Sequence, residues 1–266
     1  MALTLGGGPL TTRPPEAVNY RIDGPPHRLF LHDFPRRVRA LFGGEVVLDS
    51  SRAQLLHESN LLPQLYVPAE DVRTELLEPT SHSTHCPFKG DASYHSVRAD
   101  GRVAENAVWH YPRPVEAAPW LEGLVAVYWG AMDAWFDEDE EVFGHIRDPY
   151  HRVDVRRTSR HVRVLAGDVV VAESRRAKLL SETGLPNRYY LPREDVRTEL
   201  LEPSATHTVC PYKGTASYVS LRAGELVVPD AAWSYPDPFD GARAIADHVC
   251  LHAEPLTTEI DGTPLP

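Results

Sequence analysis

Apolar and polar residues alternate over short stretches along most of this chain. Val162-Arg163-Val164-Leu165, then Ala166-Gly167-Asp168, then Val169-Val170-Val171 predicts a hairpin around a glycine turn, and Gly43-Gly44 holds the corresponding place upstream. Tyr189-Tyr190-Leu191-Pro192 predicts a strand stopped by proline. Thr206–Cys210, the turn Pro211-Tyr212-Lys213-Gly214 and Ala216–Leu221 predict a second hairpin, with proline presetting φ and glycine able to take φ > 0. The best helical stretch is Ser174–Glu182, with Ala177, Leu179 and Leu180 near helical spacing over barely two turns. Short strands punctuated by 24 prolines and 17 glycines point to a mainly β protein. A doubly wound nucleotide fold is disfavoured, because nothing alternates with long helices.

The pattern repeats. Shifted by 124 residues, Val38–Trp109 falls on Val162–Trp233 without a gap, at 39 identities in 72 pairs. The block Glu70–Pro79 recurs letter for letter as Glu194–Pro203, and Cys86-Pro87-Phe88-Lys89-Gly90 recurs as Cys210-Pro211-Tyr212-Lys213-Gly214. Upstream the match fades but keeps Pro25, His27 and Arg28 against Pro149, His151 and Arg152. Two copies of one domain of about 110 residues are expected; the period is too long for a solenoid unit of roughly 20–50 residues. The division reads as an N-terminal extension over 1–35, a first β domain over 36–130, an acidic and basic connector over 131–160, and a second β domain with a C-terminal tail over 161–266. Asp133–Glu141 reads as a solvated acidic connector. Fused copies often replace a homodimer, so a pseudo-two-fold pair within a monomer is expected.

Composition narrows the function. Lys+Arg 27 against Asp+Glu 38 gives a net charge of −11, which repels phosphate backbones, so no nucleic-acid partner is expected. No run approaches the length of a membrane helix, and Met1–Gly8 lacks a basic start and a long apolar core, so neither a membrane partner nor a secretory leader is expected. Three cysteines cannot build a disulfide framework, and free thiols in the cytoplasm are expected.

Candidate chemistry centres on the Cys-Pro-aromatic-Lys-Gly turn, which sets a thiol and an ammonium three residues apart. A neighbouring cation favours the thiolate, so Cys86 and Cys210 are candidate nucleophiles tuned by Lys89 and Lys213. The bland alternative is a small buried cysteine beside a structural turn. Glu58 and Glu182, at the end of the expected short helix, are the general-base candidates. Further recurring residues are candidates for a pocket lining with a few placed polar groups: Tyr66, Arg73, Thr84, Ser93, Tyr94, Trp109 and Tyr111 in the first copy, and Tyr190, Arg197, Thr208, Ser217, Tyr218, Trp233 and Tyr235 in the second, joined by Tyr212, which faces Phe88 in the alignment. Fold maintenance by salt bridges and core aromatics is the competing reading. His82, His85 and Cys86 have no matching ligand set in the second copy, so no metal is expected, nor is any cofactor. Cys250 aligns with Ala126 and reads as a buried strand residue. There is no phosphate loop, dinucleotide fingerprint or nucleophile elbow.

Four motifs together resemble the bacterial DUF427 family: Tyr66-Val67-Pro68, Asp71-Val72-Arg73, Cys86–Tyr94 and Trp109–Pro114, with Tyr190–Pro192, Asp195–Arg197, Cys210–Tyr218 and Trp233–Pro238 in the second copy. The resemblance covers roughly 36–130 and 145–262. Phe88 departs from the family's tyrosine at that place. The resemblance implies a β-tent, or Mss4-like, fold in each copy, without the Cys-x-x-Cys zinc knuckles of that fold's relatives. It also carries a nucleotidyltransferase-like label, which no motif here supports. Three readings follow: a cofactor-independent, cysteine-centred enzyme acting on a small molecule; a non-catalytic small-ligand binding module; and nucleotidyl transfer.

Overall fold

The computed structural model describes residues 3–5, 8–13 and 15–265. The chain divides into two units, one running up to Asp148 and the other starting at Pro149. The first holds β1 (Leu29–Asp33), β2 (Val38–Phe42), β3 (Glu45–Ser50), β4 (Gln54–Glu58), β5 (Gln64–Pro68), β6 (Leu77–Cys86), β7 (Gly90–Ala99), β8 (Arg102–His110), β9 (Leu124–Val127), β10 (Ala134–Asp137) and β11 (Glu140–Val142). The second repeats them as β12 (Val153–Arg157), β13 (Val162–Ala166), β14 (Val169–Ser174), β15 (Lys178–Glu182), β16 (Arg188–Pro192), β17 (Leu201–Cys210), β18 (Gly214–Ala223), β19 (Leu226–Ser234), β20 (His248–Leu251), β21 (Leu256–Ile260) and β22 (Thr263–Pro264). Among the described residues all helical turns are of the tighter 3₁₀ kind. The protein is mainly β, with one tandem duplication.

Each unit has a seven-stranded antiparallel sheet and a four-stranded one. The first orders β1-β4-β5-β9-β8-β7-β6 and β11-β10-β2-β3; the second orders β12-β15-β16-β20-β19-β18-β17 and β14-β13-β21-β22. Strand alternation gives the large sheet two apolar faces. In the first unit Leu55, Leu65, Val67, Val108 and Val125 pack against Val38, Ala40, Phe42, Val47 and Leu48 of the small sheet. The other face carries Leu56, Tyr66, Ala92, Tyr94, Trp109 and Ala126, closed over by Tyr111, Ala118 and Leu121 from the segment after β8. Leu180, Tyr190, Ala216, Tyr235, Ala242, Ile245 and Cys250 form the corresponding layer in the second unit.

Two expectations fail here. Lys178–Glu182, in the stretch expected to be helical, is strand β15, paired with β12 on one side and β16 on the other. Ladder pairing on both sides overrides a weak local preference that spans barely two turns. The acidic stretch 133–141 is solvated along Asp133 and 138–141 but is not a connector: β10 pairs with β2 and β11 with β10, so it completes the small sheet. Likewise β1 precedes residue 36 and β12 precedes residue 161, each forming the edge of a large sheet. A sheet edge needs only one pairing partner, so its pattern along the chain is weak.

The letter-for-letter block Glu70–Pro79 has a structural explanation. Arg52 bonds Glu70 and Asp71, and Ser50 Oγ donates to Asp71 at 2.6 Å; Arg176, Glu194, Asp195 and Ser174 repeat this arrangement. Lone backbone bridges, Leu48 to Val72 and Ala172 to Val196, fasten the block to the small sheet.

Candidate functional site

The Cys-Pro-aromatic-Lys-Gly segments are tight turns, as their spacing predicts. The Lys89 amide donates to the Cys86 carbonyl at 3.2 Å, and Lys213 to Cys210 at the same distance. Gly90 and Gly214 leave the turn at φ of +109° and +104°. A Cβ there would also lie 3.0 Å from the Arg113 carbonyl oxygen or 3.1 Å from that of Asp237, so both conformation and space call for glycine. The Lys89 carbonyl accepts from the Val115 amide, and that of Lys213 from Phe239, which locks the lysine backbone to the segment closing the layer.

What the lysines reach differs from the expected thiol tuning. Lys89 Nζ donates to Glu58 Oε2, and Lys213 Nζ to Glu182 Oε2. The other carboxylate oxygen meets a histidine: His27 Nε2 lies 2.8 Å from Glu58 Oε1, and His151 Nε2 lies 3.0 Å from Glu182 Oε1. The aromatic residue of the turn packs on that same histidine. Phe88 stacks on His27 with centroids 4.0 Å apart, and Tyr212 packs against His151 in a tilted pair at 4.3 Å. One turn thus delivers both a lysine to the glutamate and a ring to the histidine. Since Phe88 and Tyr212 both fill this place, packing there needs the ring and not its hydroxyl. The lysine and glutamate side chains are nearly buried, between 9% and 11% exposed. Burial alone would push the Glu182 carboxyl up, but His151 and Lys213 bonding to its charged form outweigh that and hold it below its ordinary value.

The layer beside each array contains most of the expected aromatics. Tyr66 and Tyr190 are buried on β5 and β16, where desolvation raises both phenols strongly. The Trp233 indole donates to the Tyr190 hydroxyl at 3.0 Å, and Trp109 meets Tyr66 edge-on. Thr84 Oγ1 bonds the Tyr94 hydroxyl at 2.8 Å, and Thr208 that of Tyr218 at 3.0 Å. Tyr111 and Tyr235 are buried in the same layers. In the second unit, Leu180, Glu182, Leu185, Pro186, Arg188, Tyr190, Lys213, Tyr218, Trp233 and Tyr235 line a cavity of about 250 Å³. Cys86 and Cys210 are half-buried members of the two layers, while Cys250 is fully buried, its thiol pushed up to about 12 by desolvation.

Other expected residues lie outside this arrangement. Arg73 and Arg197 are exposed and bond Glu75 and Glu199 on the surface, Arg73 also reaching Glu45. Their recurrence belongs to surface ion pairs, which add little stability individually. Ser93 and Ser217 sit one residue before Tyr94 and Tyr218 on extended strands and so face away from the tyrosine layer; Ser217 Oγ bonds His207 Nδ1 at 3.3 Å. His82 packs edge-on against Tyr94, and His85 bonds Asp91 at 2.6 Å. Sequence reasoning misses His27 and His151 as site residues. Their signal lies in the alignment of the copies, where they are among the few residues retained upstream of the gap-free block.

Comparison with known families agrees with the motifs. The model of a domain of unknown function, DUF427, under a nucleotidyltransferase-like label, matches twice, over residues 30–138 and 154–262. The chain belongs to this family and carries two copies of its domain. Both matches extend to the edge strands β1 and β12 and take in β10 and β21. No curated protein matches the chain.

Proposed function

We propose that this protein is a small-molecule binding module, and that its ligand enters the cavity of the second unit beside Lys213. The observation that carries the reading is the cavity itself, which joins a nearly buried ion-paired lysine to Tyr218, Trp233 and Tyr235 in one concave space. Ligand sites have this composition: a mostly apolar and aromatic wall with a few placed polar groups. At about 250 Å³ the space suits a molecule of one or two rings, below the roughly 300–1,000 Å³ of drug-sized pockets.

The chemistry of the array favours binding over catalysis. An ammonium has three donors, and Glu182 uses one of those on Lys213, leaving others for a ligand oxygen. Glu182 has both carboxylate oxygens engaged and its proton affinity lowered, which makes it a positioning group for the lysine and a weak general base. The thiol of Cys210 is absent from the cavity wall, so the cysteine-centred reaction has less support than the binding reading. Nucleotidyl transfer has none beyond the family label.

Ligand-observed NMR on the full chain against a library of one- and two-ring fragments tests this. Leu185 is 57% exposed, so Leu185→Trp fills the cavity mouth without disturbing the core. Hits that bind the natural protein and lose binding in this variant are expected. Hits that bind both proteins equally, or an absence of hits, would overturn the reading.

A further inference from the structure

The cavity of the second unit has one feature that the common array does not explain. Arg188, on β16 two residues before Tyr190, lines it and is half-buried. Its guanidinium has no ion pair and no hydrogen bond with any described residue. The other cation of the lining, Lys213, is committed to Glu182. The Arg188 guanidinium nitrogens are not among the buried unpartnered side-chain atoms, so they remain open to solvent and free to take a partner that enters the cavity. The counterpart of Arg188 in the first unit is Gln64, a neutral side chain that bonds the Leu65 carbonyl at 3.1 Å. The arginine is therefore not required by the fold.

Charge counting around the cavity points the same way. Lys213 and Glu182 cancel, so Arg188 leaves the lining with a net positive charge. His252, which lies close enough to feel that charge, has its proton affinity lowered by burial and further by Arg188. In the first unit, Tyr128 occupies the place of His252 and packs on Trp109 with centroids 4.3 Å apart. Trp109 is buried there, whereas Trp233 is only half-buried and lines the cavity. Two differences between the copies, at 64/188 and at 128/252, thus add a cation and uncover a ring at one place.

Resting on the reading of this cavity as a ligand site, we infer that its occupant is a small aromatic carboxylate. Its carboxylate is held by Arg188 with support from Lys213, and its ring lies against Tyr218, Trp233 and Tyr235. A guanidinium presents paired N–H donors that match a carboxylate's two oxygens. Rings of tyrosine and tryptophan offer offset or edge contacts to a further ring.

Benzoate and benzamide are the probes, since they share a ring and differ in charge. Titrations of the full chain, followed by the Trp233 indole resonance, should show benzoate binding more tightly. Arg188→Gln copies the first unit's residue at an unstrained strand position. It should weaken benzoate about tenfold or more, as loss of a charge-assisted hydrogen bond predicts, and leave benzamide within about twofold. Leu185→Trp should abolish both. Equal binding of the two probes, indifference of benzoate to Arg188→Gln, or displacement by inorganic phosphate at equal concentration would each overturn the carboxylate assignment. If neither probe binds while library fragments still do, the carboxylate assignment alone falls. Failure of every fragment removes the pocket with it.

Discussion

The two copies of the site share their frame and differ at their mouths. In each, a glutamate at the end of a strand joins a lysine from the turn and a histidine that precedes the edge strand, with the turn's own ring packed on that histidine. In the first copy Tyr128 covers Trp109, and Tyr94 is buried. The N-terminal segment also bonds the turn after β4: Ser59 Oγ donates to the Leu10 carbonyl and the Asn60 amide to that of Thr4 at 2.8 Å. In the second copy, Tyr218 and Trp233 are half-buried and line the cavity with Arg188. The frame is common to both copies, and the residues that changed around it set the two mouths apart.

Breaking the frame should hurt both copies alike. Lys213→Met leaves the nearly buried Glu182 carboxylate with only its His151 bond, and Lys89→Met leaves Glu58 with only His27. Each should cost about 3 kcal/mol, the lower end for a broken buried pair, measured by chemical unfolding of the full chain. Adding Glu182→Gln to Lys213→Met should restore part of the loss, because the charge left without its lysine is gone. Recovery of nothing would mean that the lysine acts through packing.

Next in size, Gly90→Ala and Gly214→Ala should each cost about 2 kcal/mol from the left-handed backbone and the nearby carbonyl. A large effect in one copy only would contradict a shared frame.

Acid provides a third test. The Glu182 carboxyl sits below its ordinary value of 4.5 in the folded protein. Its contribution is therefore complete above about pH 4.5 and is lost as pH falls through the lower folded value. Glu182→Gln should flatten that part of the stability–pH curve; an unchanged curve would remove the ion-paired carboxylate as its source.

Thiol labelling gives a smaller contrast. Iodoacetamide, mapped by peptide, should modify Cys86 and Cys210 well ahead of Cys250, which is buried with its thiol pushed up to about 12. Lys89→Met should not slow labelling at Cys86 by loss of a neighbouring charge, because that ammonium is engaged by Glu58. Clear slowing in a variant that remains folded would restore the thiol-tuning role. The smallest expected effect is gain of function: Gln64→Arg with Tyr128→His should give the first copy weak benzoate binding. No gain would show that its mouth is closed by more than these two residues.

Much of the shared frame is legible in the sequence. The duplication, the hairpins, the turn with its proline and glycine, and the aromatic layer are all carried by residues close along the chain or by the alignment of the copies. The array is not. Lys89 and Glu58 lie 31 residues apart, as do Glu58 and His27, and no local pattern marks a carboxylate as the meeting point of two such partners. The turn therefore reads as a cysteine–lysine pair, since those two are neighbours along the chain. Recurrence alone also misleads at Arg73 and Arg197, because a duplicated surface ion pair is retained as readily as a duplicated site.

By itself the sequence determined the mainly β character, the two copies and the conformation of each turn, because backbone φ preferences and strand alternation act over a few residues. Tertiary structure decided that 178–182 is a strand, that the acidic stretch completes a sheet, and that lysine, glutamate and histidine converge. These depend on which strands become neighbours. Antiparallel pairing joins segments far apart in the chain, and a buried charge finds its partner only once those segments have met.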